Sequence, residues 1–114
     1  MKPRHPAAYI CAGRAPGALV LRQHAVAEAA HERGWPAPAV YTDEGDPGLA
    51  GEYTPALATL VAAIGAGRHD ALMVSGLGAI SGGPAYLMTR LLLPCIRQGV
   101  AVEILPPPTV ARSR

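Results

Sequence analysis

Three serines (Ser75, Ser81, Ser113) and four histidines (His5, His24, His31, His69) are the residues of this 114-residue chain that could support nucleophilic chemistry. A hydroxyl attacks only when a base is held against it, and no Gly-x-Ser-x-Gly elbow presents one. His24 and His31 are seven positions apart on one predicted helix, so they share a side but cannot chelate one metal. Both are expected to face solvent, and His69, in the turn before a strand, is expected to be structural. Cys11 and Cys95 lack CxxC spacing, which argues against a zinc site or disulfide framework and for two reduced, buried small hydrophobes. Asp43, Glu44, Asp46 and Glu52 cluster in a polar stretch, but their spacing fits no calcium loop, and a solvated, mobile loop is the reading they favour. The sequence therefore assigns no catalytic residue, no metal ligand and no cofactor-binding residue.

One segment keeps a binding role open. Residues 76–83, beginning Gly76-Leu77-Gly78 and ending Gly82-Gly83, follow a predicted strand and precede a predicted helix. A phosphate-cradling glycine loop occupies that position, because helix-terminal N–H groups attract anions. The loop lies after the third strand rather than the first, and no acidic residue ends the next strand to hold a ribose; Glu103 lies inside it. Glycines placed where side chains were dispensable are the plainer account. A small-molecule or nucleotide-binding module using loop 76–83 is the alternative.

The elements that must position these groups alternate regularly. Residues 7–12 form an apolar run ending at Gly13, and a helix then opens at Pro16 and Gly17 and stops at Gly34. Residues 39–42 make a second strand. Thr54-Pro55 supplies an N-cap and a first-turn proline for a helix in which Leu57, Leu60, Val61 and Ile64 share a face, with Gly65 and Gly67 as terminators. Residues 71–75 read as a strand buried on both faces. A helix from Pro84 follows, with Leu87, Leu91 and Cys95 inward, Pro94 weakening its last turn and Gly99 ending it. Residues 100–105 are the fourth strand. The order β-α-β-α-β-α-β implies a single three-layer α/β domain over residues 1–105, with a mainly parallel four-stranded sheet. Residues 106–114, with three consecutive prolines, read as an extended or disordered tail.

Composition narrows the function classes. Half the residues are hydrophobic and 16% are charged, which excludes a disordered chain. With no Phe and one Trp, the core must be aliphatic. A net charge of +2 with scattered cations gives DNA binding little support. The absence of an apolar leader or an 18-residue apolar run leads us to expect a soluble, cytoplasmic protein with no membrane contact.

Tyr9-Ile10-Cys11-Ala12-Gly13, Leu21-Arg22-Gln23, Glu32-Arg33-Gly34-Trp35, Tyr41-Thr42-Asp43-Glu44-Gly45, Pro55-Ala56-Leu57, Gly67-Arg68-His69-Asp70 and Gly99-Val100-Ala101-Val102 follow in an order that resembles the N-terminal catalytic domain of serine recombinases, the resolvases and invertases. The resemblance spans residues 8–105 and implies a resolvase-like fold and an ancestry in DNA strand exchange. It also implies what is missing. Gly13 stands where the family carries its nucleophilic serine, Cys11 where it carries its first arginine, and Thr54 where it carries another. The family's Asp-Arg-Leu-x-x-Arg signature reads Ser75-Gly76-Leu77-Gly78-Ala79-Ile80, without the aspartate or either arginine. A phosphodiester cannot be attacked by glycine, and charge on a scissile phosphate needs fixed cations. The resemblance thus implies a catalytically inactive, protein-interaction or regulatory domain. Its expected partner is itself or another recombinase-like protein, with DNA binding by this chain weak or absent.

Overall fold

The computed structural model describes residues 2–13, 15–51 and 53–106, without the side chains of Pro84, Leu87 and Met88. Four strands, β1 (Pro6–Cys11), β2 (Ala39–Asp43), β3 (Ala71–Ser75) and β4 (Ala101–Ile104), form one sheet in the order β2-β1-β3-β4, and every pairing is parallel. The helices are α1 (Ala18–Glu32), α2 (Pro55–Gly65), α3 (Gly83–Leu87) and α4 (Leu93–Gln98), with a π-helical turn (Met88–Leu92) joining the last two. Helix α1 packs on β1 and β3, while α2 packs on β2 and β1 and against α4. This is the three-layer α/β arrangement that the alternation of elements implies.

Strand periodicity divides the interior into two cores. Ala7, Tyr9 and Cys11 of β1 point with Leu72 and Val74 of β3 toward Leu57, Leu60 and Ile64 of α2 and toward Leu91 and Cys95. Ala8, Ile10 and Ala12 point the other way, with Met73 and Leu105, onto Val26, Ala29 and Ala30 of α1. Side chains of successive strand residues alternate faces, so a parallel strand covered on both sides is buried at every position and mostly apolar. Both β1 and β3 are buried throughout, as that rule requires. Cys11 and Cys95 are free and buried within the first of these cores.

The long helical segments end alike. Trp35 N–H reaches Ala30 O (2.9 Å) and Gly34 N–H reaches His31 O (3.0 Å), the paired bonds of a Schellman cap. Arg68 to Ala63 with Gly67 to Ile64 repeats it after α2, and Val100 to Cys95 with Gly99 to Ile96 repeats it after α4. Gly67 is therefore the terminator of α2, and Gly65 is its last helical residue. At the start of α1, Gly17 takes the cap position in a left-handed conformation, so Pro16 precedes the helix rather than opening it. Proline at 94 lacks the N–H that an α-helix would use and crowds the preceding turn, and the helix widens into the π turn immediately before it.

Two expectations are corrected here. Thr54 occupies the cap position of α2 but makes no side-chain cap bond. The bond comes from Asp43, whose carboxylate accepts from Ala56 N–H (3.0 Å), Leu57 N–H (2.9 Å) and the Tyr9 hydroxyl (2.9 Å). Asp43 is thus not part of a solvated loop: it closes β2, is 4% exposed, and couples β1 to the start of α2. The loop after it is also tied down. Asp46 accepts from Ser81 N–H (2.9 Å), the Ser81 hydroxyl (2.5 Å) and Gly48 N–H (2.9 Å), and Pro47 is buried. Glu44 remains exposed, while Glu52, Ser113 and tail residues 107–114 lie outside the described residues.

Candidate ligand-binding crevice

The carboxyl ends of parallel strands are where α/β sheets present their loops, and the functional candidates gather there. A crevice of about 600 Å³ opens between α1, the loop after β3 and the end of β4, lined by Arg22, the loop residues Gly76, Leu77, Gly78, Ile80 and Gly83, and Ile104, Leu105 and Pro106. A volume of this size is in the range of small-molecule sites.

Arg22 is the residue out of place. Leu19, Val26, Ala29 and Ala30 form the stripe by which α1 meets the sheet. Spacings of three and four residues put Arg22 on that same stripe, between Leu19 and Val26. Because α1 runs antiparallel to the strands, Arg22 lies one turn nearer their carboxyl ends than Val26. Its Nε is buried and has no hydrogen-bond partner among the described residues. A guanidinium has five donors and no acceptor, so an unspent buried N–H is a cost that a ligand acceptor would remove.

A second unspent group lies on the same face. Ser75 pairs with Ile10, and the bond from Leu105 N–H to Val74 O (2.9 Å) extends the β3–β4 register to put Leu105 beside it. Alternation from Met73 turns the Ser75 side chain toward the α1 layer, where its hydroxyl is buried without a partner among the described residues. Ser75 was visible in the sequence only as a serine without a base, and Arg22 did not stand out as a site. The available signal was a charged residue inside the apolar helical stripe.

The glycine loop has a definite shape. Gly76 has φ +91°, and a Cβ there would stand 1.9 Å from the Cys11 carbonyl oxygen, so glycine is obligatory. Gly48 is equally constrained from the facing loop, since a Cβ on it would lie 1.7 Å from Ser81 O. Leu77–Ala79 form a 3₁₀ turn. The N–H groups of Ala79, Ile80 and Gly83 bond to Gly76 O, Leu77 O and Ile80 O within the loop, and that of Ser81 is held by Asp46. Desolvation pushes the Asp46 carboxyl up, but the hydrogen bonds from the Ser81 hydroxyl and amide and from Gly48 together outweigh it and hold the carboxyl below its ordinary range. A carboxylate so engaged is a poor base for activating Ser81.

Elsewhere the candidate residues stay apart. Gly13 follows β1 with φ +67°, a conformation that strains any side chain, and borders a second hollow of about 460 Å³ with Ala15, Pro16, Gly17, Leu19, Val20 and Glu44. None of those residues carries a hydroxyl, thiol or amine nucleophile. His24 and His31 are exposed, with His24 3.5 Å from Glu28. His69 sits at the opposite, amino end of the sheet, its Nδ1 3.0 Å from His5 O and its Nε2 2.8 Å from the Tyr41 hydroxyl. Among the described residues, no three His, Cys, Asp or Glu side chains are grouped to hold a metal ion, and no helix is long and apolar enough to cross a membrane.

No family model, curated protein or solved structure matches the chain. Function must be argued from the crevice itself.

Proposed function

We propose that the chain is a non-catalytic α/β module that binds a small anionic molecule in the crevice between α1 and the loop 76–83. The observation that carries this reading is Arg22, a cation on the core-facing stripe of α1 whose Nε is buried, without a partner among the described residues, and beside a ligand-sized opening. The experiment is a thermal-shift screen of small carboxylates, phosphates and sulfonates, run in parallel on the wild type and on Arg22→Gln. Stabilisation of the wild type that the variant loses supports the reading. No stabilisation by any anion at millimolar concentration would remove it.

A second reading keeps the likeness to serine recombinases, as an inactive interaction domain that pairs with itself or with another recombinase-like protein. It is favoured by Leu93 and Ile96, which are 50% and 67% exposed one turn apart on the outer side of α4. Gly13, with no side chain and a left-handed backbone, is consistent with lost strand cleavage. Sedimentation equilibrium separates the two readings: a strict monomer, with no partner bound, counts against this one.

A further inference from the structure

Within the ligand-binding reading, on which this inference rests, we propose that the crevice takes a monocarboxylate with an apolar body, of the medium-chain or arylalkyl type, rather than a nucleotide or other polyphosphate. Charge is the first argument. Among the described residues that line the crevice, Arg22 is the single charged one, so one negative charge is matched and they match no further ones. A guanidinium also fits a carboxylate edge to edge, through two parallel N–H donors.

The loop supplies the second argument. A diphosphate is cradled by backbone N–H groups converging on it. Here the N–H groups of Ala79, Ile80, Ser81 and Gly83 are already consumed by the turn and by Asp46. The walls are the third argument. Leu77, Ile80, Ile104, Leu105 and Pro106 offer hydrocarbon, and among the described lining residues none has an aromatic or amide side chain to stack on or pair with a base. Ile104 is 52% exposed, so an apolar body laid on it gains by leaving water.

The test is isothermal titration of the full chain with octanoate, octanol, AMP and pyrophosphate at neutral pH. Octanoate binds, octanol binds at least about tenfold more weakly, and Arg22→Gln loses about tenfold or more for octanoate while leaving octanol unchanged. Circular dichroism shows the variant folded. Octanoate bound equally by wild type and variant overturns the proposal, because the carboxylate is then not held by Arg22. Binding of AMP or pyrophosphate in place of octanoate overturns it too but spares the ligand-binding reading, whereas silence from every probe in both titration and screen removes both.

Discussion

Arg22 and Asp43 are both charged and both reach into the interior, yet their donors and acceptors are used in opposite ways. Asp43 accepts from two backbone N–H groups and from Tyr9, so its removal leaves three donors stranded. Asp43→Ala should cost about 3 kcal/mol or more, and Tyr9→Phe, which removes one donor and leaves the carboxylate with two, about 1 kcal/mol. Arg22 has a buried donor with nothing to receive it among the described residues. Arg22→Leu should therefore raise the ligand-free stability by about 1 kcal/mol, since the replacement keeps the apolar packing and removes the desolvation cost. Urea unfolding of the three variants checks the signs. A destabilised Arg22→Leu would mean that the guanidinium is satisfied, and the argument for a ligand there would lose its footing. Residues kept at the expense of stability are a mark of function.

At the scale of elements, what the sequence made legible was whatever depends on near neighbours. The glycines at 34, 67 and 99 announce helix ends because a Schellman cap is built within six residues. The mostly apolar runs 7–12 and 71–75 announce central strands because burial on both faces leaves little room for polar side chains, Ser75 being the exception. The cap of α2 was not legible, because its acceptor comes from the end of β2, thirteen and fourteen positions earlier than the N–H groups it serves. Thr54→Ala is accordingly expected to change stability by less than about 0.5 kcal/mol, where loss of a working N-cap costs about 1 kcal/mol. The glycine loop hid its constraint in the same way. Gly76 is fixed by the carbonyl of Cys11, 65 positions away, whereas a Cβ on Gly78 meets nothing within 4 Å. Gly76→Ala should lower the melting temperature sharply or prevent folding, and Gly78→Ala should leave it nearly unchanged. Similar effects of the two would show that the loop is not shaped by contact with β1. The crevice itself was half legible: the loop was visible as glycines after a strand, but Arg22 became a wall residue only when α1 was laid antiparallel on the sheet.

The two cores of the molecule differ in one chemical respect that should govern how it responds to alkali. The core on the α2 and α4 side contains Tyr9, Cys11 and Cys95, whereas the apolar cluster under α1 is aliphatic but for Trp35 at its edge, with Arg22 on the same stripe of the helix. Burial raises the Cys11 and Cys95 thiols above their ordinary value of 9.0. Burial, then the hydrogen bond to Asp43 and its charge, raises the Tyr9 phenol far above its ordinary 10.0. The folded state thus keeps these three protons at a pH where the unfolded chain releases them. A group whose folded value is raised contributes stability that is complete below its unfolded value and is lost as pH rises through the folded one. The loss should begin near pH 9 with the thiols and steepen above pH 10 as the phenol joins. Each group adds a slope of up to about 1.4 kcal/mol per pH unit until its folded value is passed. Against a total stability of about 5–15 kcal/mol, that slope is enough to unfold a domain of this size in moderate alkali. Urea midpoints at pH 7.5, 9.5 and 10.5 should fall progressively. Cys95→Ala should flatten the first part of the fall and Tyr9→Phe the second. A midpoint constant across this range would place these groups in contact with water, and the apolar core between the sheet and α2 would then not be closed.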